Sequence, residues 1–253
     1  PTPETSGAMN LKLSLALSAA LLLAGHSTVA GAQDGSGDGD VGGAQVSVAP
    51  LRLELAGAAN SAVLRITNPS VREIGVQVRT FGWAQQEGED AYFASSDVMI
   101  SPSIIQIAPG QTQIFRVVRR DTPSAGEKRF RIAIDQLPDP SLERAGEAQA
   151  RIRFTLPLFL DRDLSAPADL GWTVDAGGLH ARNVGGQTVR IISLTLKDSA
   201  GADIPLDKNG LRYVQGGSTI NWPLTGPCPT GLVTVSANFD GRTVSAQVPS
   251  SCS

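Results

Sequence analysis

The residues able to do covalent or metal chemistry are few in this chain. Apart from His26, which lies in an N-terminal apolar stretch, His180 in "GLHARN" is the one imidazole. Nucleophilic catalysis needs a base beside its nucleophile, and a lone histidine among alternating apolar residues reads as an outward strand position. No GxSxG, HExxH, P-loop or strand-linked GxGxxG occurs. Cys228, Cys252 and a single imidazole would need clustered carboxylates to make a zinc site, and none is visible. The acidic "EGED" at 87–90 reads as a solvated turn. Arg119 and Arg120 in "RVVRRD" read as strand-end charges that keep an edge soluble. No enzyme, cofactor or metal is expected. In an exported chain the cysteine pair reads as a disulfide, Cys228 to Cys252, whose 24-residue separation is worth roughly 3 kcal/mol in the chain-entropy picture.

With catalysis set aside, "ARIRFTLPLFLD" (150–161) stands out. Ile152, Phe154, Leu156, Leu158 and Leu160 share one face of an extended chain, the period-two signature of a strand with one apolar side. Pro157 interrupts it. Proline donates nothing to a ladder, so this strand belongs on a sheet edge or at a bulge, where an apolar edge invites another chain to pair.

Around this strand the chain reads as all-β. It has 253 residues, a formal net charge of −3, 41% hydrophobic and 18% charged residues, and no basic excess of the kind nucleic-acid binders carry. From Met9, a lysine, an apolar run and Ala30-Gly31-Ala32 make a secretory leader over 1–32, with Met9 as the natural start; the run is too short to span a bilayer. A Gly/Asp-rich tail, 33–44, follows. Between 45 and 162 about seven strands alternate with turns, the spacing of an immunoglobulin-like sandwich. "VSVAPLRLEL" (46–55) flips its apolar parity at Ala49-Pro50, so it bulges or crosses between sheets. "VMISPSIIQIAPGQTQIFRVVRR" (98–120) reads as two strands joined at Pro109-Gly110, and "SLERAGEAQ" as a polar loop. "DRDLSAPAD" (161–169) reads as a hinge, and 163–253 as a second, smaller sandwich.

Together the segments "VSVAPLRLEL", "LRITNPS", "VQVRTFGW", "SPSIIQIAPGQTQIFRVV", "FRIAIDQLP" and "IRFTLPLFL" resemble the periplasmic pilus-assembly chaperones of the chaperone–usher pathway, the PapD-like family. The APGQxQxxRV run followed by a strand ending in DQLP carries most of the specificity. "LPLFLDRD" and the "AQQEGEDAYF" insertion look more like the archaic or spore-coat-protein-U-associated branch. The resemblance implies two immunoglobulin-like domains set as a boomerang, in the periplasm. It implies donor-strand complementation, in which the seventh strand fills the groove of a pilin-type subunit lacking a terminal strand, before delivery to an outer-membrane usher. Ile152, Phe154, Leu156 and Leu158 would be the donor side chains, worth about 6–12 kcal/mol gross if all were buried by the subunit.

The family also holds the subunit's C-terminal carboxylate on basic residues. Arg52 falls at the first such place. The second, a lysine on the seventh strand, aligns with Pro157, so Arg116 and Arg131 are taken as substitutes, with Arg153 behind them. Other readings stay open. A structural pilin or adhesin would need an apolar N-terminal extension, which the Gly/Asp-rich tail is not. A carbohydrate-binding or inhibitor module would need an exposed aromatic platform from Trp83, Trp172 or Trp222. No nucleic acid and no stable membrane insertion are expected.

Overall fold

In the computed structural model, which describes residues 46–142 and 151–252, period-two alternation becomes sheet almost throughout. The described residues contain no α-helix, only one 3-10 turn at Pro140–Leu142. The leader, the acidic tail and most of the 141–149 loop lie outside them.

Ten strands build the first sandwich: β1 (Ser47–Ala49), β2 (Leu53–Leu55), β3 (Ser61–Thr67), β4 (Ile74–Gln86), β5 (Glu89–Phe93), β6 (Val98–Ser101), β7 (Ile104–Ile107), β8 (Thr112–Arg119), β9 (Lys128–Gln136) and β10 (Arg153–Leu160). One sheet runs β1-β3-β8-β6. The other runs β2-β10-β9-β4-β5, with β7 also on β4. The parity flip at Ala49-Pro50 is a sheet crossing, because β1 pairs with β3 while β2 pairs with β10. The stretch 98–120 makes three strands rather than two. Pro102 breaks the first ladder, and the chain passes from β6 in one sheet to β7 in the other. Between the sheets the inward positions form one core, including Leu64, Ile66, Phe115 and Val117 from one side and Val76, Ile132, Ile134 and Leu158 from the other.

Arg119 corrects the reading of a soluble strand end. It shares the inward parity of Phe115 and Val117, and its side chain is 1% exposed. Burying a guanidinium is tolerated only with matched partners. Here Asp161 takes two of its nitrogens, Asp121 accepts from Nε at 2.9 Å, and Lys128 also pairs with Asp121. The Arg119 hydrogen bond holds the Asp161 carboxyl below the usual range, and the same contact raises Arg119.

The second sandwich has β11 (Leu170–Asp175), β12 (Gly178–Asn183), β13 (Val189–Lys197), β14 (Arg212–Val214), β15 (Thr219–Trp222), β16 (Leu232–Phe239) and β17 (Arg242–Pro249). Its sheets run β11-β12-β15 and β14-β13-β16-β17 around Leu179, Ile191, Trp222 and Val235. Cys228 and Cys252 are joined as a disulfide, Cα atoms 5.7 Å apart. His180 lies on β12, its Nε2 2.9 Å from Asp175 Oδ1. Both sandwiches belong to one unit, and buried charge ties them together. Glu127, whose side chain has no exposure, accepts from Arg129 Nε (2.9 Å) and from the Thr188 amide (2.9 Å), and stands 3.1 Å from Arg162 Nη1.

Candidate functional site

β10 is the strand to examine, since its composition argued for an open edge. On one flank it pairs with β9 over its whole length, Arg153 to Leu160. On the other, β2 runs parallel to it only at Leu158–Leu160. From Arg153 to Pro157 no described strand occupies that second flank.

Two bonds fix which backbone groups face outward. The Gln136 N–H donates to the Ile152 carbonyl at 3.1 Å, and the Asp161 N–H donates to the Leu55 carbonyl at 3.1 Å. In an antiparallel pair alternate residues point both groups at the same neighbour. Even-numbered residues of β10 therefore bond to β9, and odd-numbered ones face the other flank. Arg153 and Thr155 each offer an N–H and a C=O to that open side. Pro157 is odd too, so its missing donor costs β9 nothing.

The side chains divide differently from the expectation. Ile152 and Phe154 are half-buried, and Phe154 packs against the core. Leu156 is 5% exposed and Leu158 fully buried, both inside the domain's own core. Two of the four expected donor side chains are thus already spent, because the core closes over that face of the strand from Leu156 onward. Lending Ile152 and Phe154 alone is worth at most about 3–6 kcal/mol gross.

Along Thr155–Pro157 the strand borders a groove of 510 Å³ whose lining includes Leu51, Tyr92, Arg131, Thr155, Pro157 and Tyr213. Leu51 and Tyr213 come from different sandwiches, so both domains wall it. Arg131 stands opposite Pro157 in the β9–β10 register. Its guanidinium lies 3.7 Å from the Trp83 ring centre and 4.6 Å from that of Tyr213, stacking favourable for a desolvated cation. Asp90 Oδ2 is 3.6 Å from Arg131 Nη2, and Arg131 Nε is buried without a hydrogen-bond partner. Burial, then the nearby Asp90 carboxylate, pushes the Tyr92 phenol up.

The other expected anchors are placed apart from this groove. Arg52 pairs with Glu54, reaches Asp240 at 3.9 Å and lies 4.9 Å from the Phe159 ring centre. Arg116 must be corrected. It is exposed on the outer face of the opposite sheet, where β8 parity points it to solvent. Arg153 is bound to Asp135, which Arg79 also contacts at 2.7 Å. Burial works against the Asp135 carboxylate, but bonds from Arg153 and Arg79 outweigh it and hold it low. Arg162 was missed. It lies 4.8 Å from the Phe159 ring centre and donates to Gln187 and to the Thr188 carbonyl. Burial pulls its guanidinium below the ordinary value, while Glu127 pulls the other way. The "DRD" closing an apolar strand was the available signal.

Residues 45–162 match the family described as pili and flagellar-assembly chaperone, PapD N-terminal domain. The match covers the first sandwich, the part of the chain that resembles the PapD-like chaperones. That family consists of assembly chaperones, not enzymes. No curated protein matches the chain. Among solved structures it is similar in fold to the CsuC–CsuE chaperone–tip adhesion subunit pre-assembly complex of the archaic Csu pili of Acinetobacter baumannii (18% identity, 82% of this chain and 99% of that one, TM-score 0.63). A second similarity is to the complex of Salmonella enterica SafA pilin with the SafB chaperone (18%, 80% and 95%, 0.59). A third is to the E. coli chaperone DraB (17%, 83% and 97%, 0.57).

Proposed function

We propose that this protein is a periplasmic chaperone for pilus-type subunits. It lends the open edge of β10 to a β-sandwich subunit lacking a terminal strand, and passes that subunit to an outer-membrane usher. The observation that carries the reading is the flank of Arg153–Pro157, free of any described strand and leading into the groove at Arg131. Strand addition draws affinity from backbone bonds and specificity from alternate side chains. Arg153 and Thr155 supply the bonds; Ile152 and Phe154 supply the side chains.

The guest segment runs in the direction of β10, as β2 does on the same flank. Its C-terminus then arrives beside Pro157, where Arg131 is the guanidinium at hand to bind a carboxylate. Arg131 thus serves where the resemblance expects a lysine at the Pro157 position, and Arg52 braces the junction beside Leu51. Fold similarity to chaperones solved with a pilin or a tip subunit supports a subunit as the guest. The leader supports export, and a disulfide suits an oxidising compartment. Burial of Trp83 and Trp222, 2% and 0% exposed, weighs against a carbohydrate-binding platform.

Phe154→Asp tests the reading, with Ile152→Asp as the variant outside the strand ladder. Each is expected to abolish co-purification with the cognate subunit while circular dichroism and melting stay those of a folded protein. A folded variant that still retains the subunit would remove β10 as the donor.

A further inference from the structure

Arg131 has a carboxylate of the protein's own beside it, brought there by the β4–β5 hairpin. The turn of that hairpin is tight. Glu87 and Gly88 both take positive φ, 51° and 80°, between the paired residues Gln86 and Glu89, the two-residue turn that matches strand twist. β5 therefore returns directly beside β4 and delivers Asp90. Two donors orient its carboxylate: Gln85 Nε2 to Oδ1 at 3.0 Å, and the Tyr92 hydroxyl to Oδ2 at 3.2 Å. Gln85 is itself fixed to the second sandwich, donating to the Tyr213 carbonyl at 2.8 Å and accepting from the Gln215 amide at 2.9 Å.

Among the described residues Asp90 is the one carboxylate within ion-pair range of Arg131. The Arg131 side chain is 9% exposed, that of Asp90 33%. A cation so buried needs a counter-charge. Yet 3.6 Å exceeds hydrogen-bond reach, and Arg131 Nε stays unpartnered. The guanidinium is balanced in charge and unsaturated in hydrogen bonds, as a site awaiting a better-placed anion would be.

We propose that Asp90 is a resident counter-ion, which compensates Arg131 in the empty groove and opposes the arriving carboxylate, so that it sets how tightly a guest's C-terminus is held. This rests on Arg131 being the carboxylate anchor. Its like-charge repulsion weakens binding of a free carboxylate by about tenfold or more. An uncharged C-terminus escapes it.

The test uses the full chain, wild type and Asp90→Asn, with Asp90→Ser as the second variant should the first not fold. The probe is an octapeptide of alternating valine and threonine, prepared with a free C-terminal carboxylate and as its C-terminal amide, titrated by calorimetry. The expected result is a wild-type preference for the free acid, a gain of about tenfold or more for that acid in Asp90→Asn, and no change for the amide. A preference for the acid that Asp90→Asn leaves unchanged or weakens would overturn the counter-ion while sparing the anchor. No preference in either protein, or no binding of either peptide, would remove the anchor and the proposal together.

Discussion

Proline can be moved along β10 to ask which backbone groups a guest uses. Thr155→Pro deletes an N–H that faces the open flank, and by the parity above it leaves the β9 ladder whole. Phe154→Pro deletes an N–H inside that ladder. The two substitutions sit one residue apart and differ in which side of the strand they disarm. The natural Pro157 shows that the strand accepts a ring at an odd position without losing its pairing to Arg131.

Leaving one guest carbonyl without its donor costs about 1–3 kcal/mol, so Thr155→Pro should weaken subunit binding roughly 5- to 150-fold. Its melting temperature should stay near that of the wild type. Phe154→Pro should be destabilised outright, because a ladder bond is lost next to the core. Subunit affinity by calorimetry and thermal melts on both variants decide the matter. If Thr155→Pro unfolds as readily as Phe154→Pro, the assigned parity is wrong. If it stays folded and binds the subunit undiminished, the guest does not pair along this flank.

Two further outcomes concern stability. Asp161→Ala removes the acceptors of two buried Arg119 nitrogens and leaves Asp121 alone to pair it, so it should cost on the order of 3 kcal/mol in a urea melt. In the wild type the folded pKa of Asp161 is depressed. Its stabilisation is complete above the unfolded carboxylate value of about 3.9 and is lost as pH falls through the lower folded value, so a pH series of melts should show Asp161→Ala losing its deficit only in strong acid. Reduction of the Cys228–Cys252 bond, or Cys228→Ser with Cys252→Ser, should lower stability by about 3 kcal/mol, and a melt insensitive to reductant would show that the bond carries no such load.

The fold was legible because alternation is a local signal. Every strand of the second sandwich lies within a stretch that alternates, and the sheet crossing at Ala49-Pro50 showed as a parity flip in "VSVAPLRLEL". What escaped depended on partners far along the chain. Nothing near Arg119 announces Asp161, 42 residues away, so an inward arginine looked like an edge charge. Arg116 adjoins the APGQ motif in sequence, yet its strand lies in the other sheet. Arg131 comes to stand opposite Pro157 through strand register, which local sequence does not display.

The proline that seemed to spoil the strand in fact specifies how it is divided. At positions 158–160 β10 is held between two neighbours, and its side chains belong wholly to its own core. Before Pro157 it has one described neighbour, and Ile152 and Phe154 are only half covered. Leu156 and Leu158 anchor the strand in the core, which on the proposed function would leave Ile152 and Phe154 to a guest without the edge fraying. A ring at 157 blocks an N–H from recruiting a guest at the point where β2 leaves the edge. On the proposed function, a guest strand aligned beside Arg153 and Thr155 would end at the groove, where the walls from both sandwiches and the Arg131–Asp90 pair would meet it. This division requires the two sandwiches to keep a fixed relation, and Glu127 supplies it: a fully buried carboxylate between Arg129 and Arg162 on one side and Thr188 on the other cannot slide without losing several charge-assisted bonds at once.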